Sequence, residues 1–344
     1  MNYWQLITFI IYIISIYAVG TAVYLYINEK PHYLNRSIYI GESFLLGSIV
    51  VIGGMLTLSL LGLYKAPFIW GIALSGYALL LKKNIREKMM CSLFKGISFD
   101  IPFFVFWGLI IFFILRNYYP LVTGDSHNIY LFTQRLWLEE GTSLVGNEGF
   151  NIGIFTPQFN AVPYALGISI FGQETLFSQL INVSWRLIVL LLVFGYTNYR
   201  FNKYFGLMAM ILVYFDEHFF FSGANACVVI NGAVVAFLFA AVYNFWEARE
   251  RNDSLRFLLA VIFSIYLMAN KYQMAYVMVG ILLMGIFIQR NKRKKIKEIL
   301  LNKKYLIFLI LSVFFLSLWF FKNYLITGCS TFPALADKFH AFNW

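Results

Sequence analysis

Apolar runs of about 20 residues, the length that crosses the hydrocarbon core of a bilayer, recur along this sequence and leave few folds open to it. In hydrocarbon every backbone N–H and C=O must find a partner within the protein, so runs of this length are expected to be helices packed into a bundle. The balance of residues agrees: 60% are hydrophobic, 12% are charged, and the mean hydropathy is +0.72, which excludes an ordinary soluble domain. A net charge of +11 could suggest a nucleic-acid partner, but the basic residues fall in short clusters between apolar runs. That pattern carries topology and not a polyanion-binding face. Cys91, Cys227 and Cys329 have no metal-ligand spacing and imply no disulfide framework. The first stretch, MNYWQLITFIIYIISIYAVG, lacks a basic leader and a small-residue cleavage site and reads as an uncleaved span.

The expected fold is an all-α polytopic membrane protein of about ten spans, near residues 3–27, 38–62, 66–81, 99–119, 176–197, 204–221, 225–246, 256–270, 272–289 and 305–325. The run from Phe257 to Ile288 would be about 50 Å long as one helix against a core of about 30 Å, so it is expected to turn at Asn270-Lys271. Most of the 27 Lys and Arg lie in five segments: Lys30 and Arg36, Lys82 to Lys95, Arg200 and Lys203, Arg249 to Arg256, and the run from Arg290 to Lys304. All five fall on one face when ten spans alternate, and that face is expected to be cytoplasmic. Both termini, the 120–175 loop, the Asp216 segment and the Asn270 turn are then extracytoplasmic, in a multi-pass protein of the cell membrane. Residues 160–172 look like a further span, but the apolar run is only about a dozen residues long and contains Pro163. It is expected to lie on the outer interface. A companion helix over 127–140 is expected from Ile129, Phe132 and Leu136, with Gly141 as its stop.

Three groups of polar residues could carry chemistry. Asp125, in YYPLVTGDSHNIYLF, lies just past a span, where a carboxylate can act as a general base; an Asp-Ser pair before a helix is equally an N-cap. Asp216, Glu217 and His218 could bind a divalent metal ion, with Asp125 or His127 completing the shell, or form a solvated helix end. Lys271, Lys322, Arg116 and Arg135 approach the outer leaflet against the basic-inside trend, and Arg186 lies about nine residues into a span. Such cations hold lipid phosphate or diphosphate, or else snorkel to the interface. No P-loop, GxGxxG or GxSxG occurs in a plausible context, which disfavours ATP-driven transport and serine hydrolase chemistry.

The order of these features resembles the glycosyltransferase C superfamily, polytopic enzymes that use polyprenyl-phosphate sugars and include protein mannosyltransferases and aminoarabinose transferases. The resemblance covers roughly residues 99–335. It is carried by Asp125 after a helix, the two interfacial stretches, FNAVPYALGISIFGQETLFSQLIN, ANKYQMAYV and WFFKNYLITGCSTFP. Departures are Ser126 after Asp125 where many relatives have a second acid, Lys322 for the usual Arg, and Cys329-Ser330 for Asn-Pro. The resemblance implies three N-terminal helices with a basic loop (1–98), a seven-helix module (99–335) and an outer tail (336–344). Members usually continue beyond this point, so it also implies a minimal module, a truncated product or half of a complex. The activity implied is an inverting transfer of a sugar from a polyprenyl-phosphate carrier to a glycan, lipid or protein acceptor, in cell-envelope polysaccharide synthesis. Asp125 is then the base. Lys271, Arg135 and Lys322, with Arg186 and Arg116, are the phosphate ligands, and Asp216, Glu217, His218 and His127 hold a metal ion or the acceptor. The alternatives are a lipid-linked glycan transporter and an oligosaccharide polymerase or ligase of another fold.

Overall fold

A computed structural model describes residues 3–28, 35–94, 104–105, 107–108, 111–112, 130–145, 157–172, 176–215, 231–271 and 273–328. Among these the chain is helical throughout, with no strand. The helices are α1 (Tyr3–Ile27), α2 (Arg36–Leu60), α3 (Ala66–Ala73), α4 (Ser75–Leu79), α5 (Lys83–Phe94), α6 (Phe132–Glu140) and α7 (Tyr164–Phe171). They continue with α8 (Leu176–Arg200), α9 (Lys203–Tyr214), α10 (Asn231–Arg251), α11 (Ser254–Met268), α12 (Met274–Ile288), α13 (Lys292–Leu301) and α14 (Lys303–Thr327). Four of them, α1, α2, α8 and α14, are long and apolar enough to cross a membrane, and a fifth is counted if α12 and α13 form one bent span. The two meet at 110°, and α13 reads KRKKIKEILL, so α13 lies across the end of the bundle and not along it.

Over the described residues, four of the expected spans fall short of membrane length, 256–270 and 272–289 being helices of 15 residues each. Residues 66–81 form two helices broken at Leu74, and the 204–221 run is helical from Lys203 to Tyr214, with Phe215 the last residue described. The 99–119 run lies mostly outside the described residues. The expected turn at Asn270-Lys271 is present: α11 ends at Met268 and α12 begins at Met274. Gln289, past the end of α12, donates to the Phe245 carbonyl at 2.9 Å, and Lys295 donates to the Ala248 carbonyl at 2.6 Å. Those carbonyls lie in the last turns of α10, a short turn before α11 starts. The pair therefore folds back as a hairpin.

Side-chain caps mark the starts of four helices at this end. Asn35, Asn202, Asp253 and Asn302 each accept from the free N–H groups of the first turn of α2, α9, α11 and α14, which satisfies donors that a helix start otherwise leaves unpaired. This end also carries the basic clusters. The opposite end gathers Gln5 and Phe177, whose side chain and N–H bond at 3.0 Å, and the 157–172 segment. Phe159 donates to the Ala269 carbonyl at 3.1 Å, and Trp70 donates to Ser169 at 3.1 Å. Both ends of this segment are thus held at the same end of the bundle, and it does not cross.

The N-terminal helices are built into the same core as the rest. At Gly20 and Gly47 a Cβ would meet the carbonyl oxygens of Ser43 and Ile16, so α1 and α2 cross with their backbones in contact, a small-residue crossing of the kind membrane helices use. Gly53 receives the Phe315 ring of α14. At the break between α3 and α4, the Gly76 N–H donates to Ser15 Oγ of α1 at 3.0 Å. Buried toward the basic end, Glu42 and Arg256, 0% and 1% exposed, pair at 2.5 Å. The same Glu42 oxygen accepts from Tyr243 at 2.7 Å and Asn244 at 2.9 Å, and Arg256 also reaches Tyr24 at 3.1 Å. One buried network thus joins α1, α2, α10 and α11.

Candidate functional site

Besides those on α1 and α2 (Thr21, Ser43 and Ser48), a set of buried polar atoms without a hydrogen-bond partner among the described residues lies at the end opposite the basic clusters. Their frame is Tyr64, just past α2 and 0% exposed. Its hydroxyl donates to Gln134 Oε1 at 2.7 Å and lies 3.1 Å from the Val162 carbonyl. Its N–H donates to the Gly141 carbonyl at 2.7 Å. Gly141 closes α6 in the left-handed conformation, φ 76°, which only glycine adopts without strain. Lys65 binds the last carbonyls of α6, Leu138 and Glu139, at 3.2 and 2.8 Å. So the end of α2 holds α6 on one side and the Val162 turn on the other, and α6 and α7 pack together.

Within this frame α6 turns Thr133, Gln134 and Trp137 inward. Trp137 packs edge-on against Tyr64 at 5.8 Å and against Trp319 of α14 at 5.6 Å. Between those two indoles lies the Lys322 ammonium, 5.0 Å from one ring centre and 4.3 Å from the other. Lys322 is 1% exposed, and a desolvated cation over two indole faces is held more strongly than one in water. Asn160 donates its N–H to Asn270 Oδ1 at 3.3 Å, which ties the 3-10 turn Phe159–Ala161 to the α11–α12 turn. Arg186, on α8, is buried against Gly232 at the start of α10 and acts electrostatically on the Tyr164 hydroxyl.

Four residues here keep buried polar atoms with no hydrogen-bond partner among the described residues: Gln134 Nε2, Trp137 Nε1, both side-chain polar atoms of Asn160, and the Tyr164 hydroxyl. Buried polar groups are almost always satisfied in a folded protein, and leaving one unpaired costs about 1 to 3 kcal/mol. A cluster of them, rich in N–H donors and walled by aromatic rings, suits a ligand bearing many oxygens.

Of the residues expected to form the site, Lys322 and Lys271 belong to this end of the bundle, and Arg186 lies near the middle of α8. Lys271 is half-buried in the turn beside Asn270. Arg135 is on α6, but its side chain is 49% exposed and pairs with Glu139 at 2.6 Å, so it points away from Gln134 and Trp137. Asp125, His127, Arg116, Asp216, Glu217 and His218 lie outside the described residues. Among the described residues no group of three His, Cys, Asp or Glu could hold a metal ion. Sequence reasoning passed over Tyr64, Gln134, Trp137, Asn160 and Tyr164. The available signal was Asn160 and Tyr164 breaking a short apolar run, and a Gln beside Arg135 on the face of an interfacial helix.

The family model for a domain of unknown function (DUF8201) matches residues 167–344, more than half of the chain. The chain belongs to the DUF8201 family. The DUF8201 match begins within α7 and contains Arg186, Lys271 and Lys322, together with the Asp216 cluster. Asp125, Tyr64, Gln134, Trp137 and Asn160 precede it. No curated protein and no solved structure matches the chain.

Proposed function

We propose that this protein is a membrane glycosyltransferase that moves a sugar from a polyprenyl-phosphate carrier to a glycan, lipid or protein acceptor outside the cytoplasmic membrane. The observation that carries the reading is the donor-rich set of Gln134, Trp137, Asn160 and Tyr164, buried with Lys322 at the end away from the basic clusters. A sugar phosphate presents oxygens to such donors, and Trp137 and Trp319 offer ring faces to a sugar. Asp125 is the general base of an inverting displacement. Lys271 and Lys322, with Arg186 and Arg116, steady the departing phosphate. Asp216, Glu217, His218 and His127 hold a divalent ion or the acceptor. The remaining spans complete a bundle of about ten, with both termini outside.

A second reading, transport of a lipid-linked glycan, draws on the ionisable residues buried inside helices, Glu42, Arg186 and Arg256. One experiment separates the two. The full chain is reconstituted with radiolabelled polyprenyl-phosphate sugar and compared with Asp125→Asn. Sugar transfer is expected to fall by about 10² to 10⁴. Wild-type transfer by a folded Asp125→Asn protein overturns the role of Asp125, whereas carrier crossing the vesicle without any transfer supports transport.

A further inference from the structure

We propose that α13, Lys292–Leu301, is a binding site for anionic phospholipid headgroups in the leaflet at the basic end of the bundle. Its position follows from connectivity. It is joined by short turns to α12 before it and to the membrane-length α14 after it, and it is bent 110° from α12. A helix so placed lies along the membrane boundary, where acyl chains and headgroups meet.

One side of α13 is fixed to the protein. Lys295 and Ile299 are buried, and they stand four residues apart on one face. Lys295 donates to the Ala248 carbonyl and to Gln289 Oε1 at 2.6 and 2.7 Å, and Glu298 hydrogen-bonds Ser254. Lys295 is thereby withdrawn from any ligand, and burial lowers the pKa of its ammonium from the usual lysine range while Asp253 and Glu298 oppose the shift.

The other side is unlike an ordinary solvated surface. Ile296 and Leu300 are 41% and 55% exposed, and Phe287, at the end of α12, is 84% exposed. At 100° per residue Ile296 and Leu300 stand together next to the buried face, and Arg293 and Lys297 come next around the helix. Arg290, Lys292, Arg293, Lys294 and Lys297 are all exposed. Glu298 is the one acid on the helix, and it is already engaged by Ser254 and, at 4.0 Å, by Lys294. An apolar strip bordered by cations matches a phospholipid, with acyl chains against Ile296 and Leu300 and a phosphate at Arg293 and Lys297. Free phosphate would leave the apolar strip unused.

The test uses the full-length protein in nanodiscs of mixed phosphatidylglycerol and phosphatidylcholine, with native mass spectrometry of the lipids that leave with it. Wild type is expected to retain phosphatidylglycerol in preference, and the preference is expected to fall as salt rises. In the R293Q/K297Q variant it drops by about fivefold for each cation removed. Equal retention of the two lipids by wild type overturns the proposal, as does a preference indifferent to salt or one kept by the folded variant. Displacement of phosphatidylglycerol by inorganic phosphate also overturns it, reassigning the site to the free anion. If the variant fails to fold, the wild-type salt series decides.

Discussion

Glu42 and Arg256 are 214 residues apart in sequence and share a buried hydrogen bond toward the basic end of the bundle. Removing one member of such a pair leaves a buried charge uncompensated, at about 3 to 5 kcal/mol, whereas replacing both by apolar residues of similar size can be nearly neutral. Thermal unfolding in lipid is therefore expected to show Glu42→Leu and Arg256→Leu each strongly destabilised and the double variant less so than either. Additive losses would sever the pair as an energetic unit. The signal for Glu42 was in the sequence, since it is the one acidic residue in the apolar run 36–60. Its partner was not, because Arg256 reads equally well as one more cation of a basic loop. Lys322 shows the same limit: its outward place was legible, but the Trp137 ring over it comes from a helix far away in sequence.

At the scale of elements, what the sequence revealed were features with a length or charge constraint. A run too long for the bilayer had to turn, and it turns at Asn270. The stretch 160–172, too short and carrying Pro163, does not cross. The break at Leu74 was hidden, because apolar residues flank it on both sides and period alone cannot distinguish one helix from two. The α1–α2 crossing was hidden too, since a glycine in an apolar run does not say which backbone it meets. Gly47→Val would put a branched side chain on the Ile16 carbonyl and is expected to cost about 1 to 3 kcal/mol, with Gly47→Ala in between. Gly71, with nothing near its missing Cβ, is the internal control, and Gly71→Ala should leave the melting temperature nearly unchanged. Equal effects at the two sites would mean that the crossing is not close-packed in the membrane.

For the molecule as a whole, the alternation of spans and the basic clusters make one forecast. Glu139, 54% exposed at the end of α6, and Lys294, 68% exposed on α13, belong to opposite ends of the bundle. In intact cells a membrane-impermeant thiol reagent is expected to label Glu139→Cys, and to label Lys294→Cys only after permeabilisation, both in a background lacking Cys91, Cys227 and Cys329. The reverse pattern would invert the orientation and put the buried donor cluster in the cytoplasm, out of reach of an external acceptor. The hydrogen bond from Gly76 to Ser15 bears on how such a molecule is made. Where α3 gives way to α4 the helical ladder leaves N–H groups unpaired, and α1 supplies an acceptor to one of them as solvent otherwise would. Residues 66–79 therefore gain this backbone partner only when Tyr3–Ile27 is in place beside them, and synthesis from the N-terminus makes the two in that order.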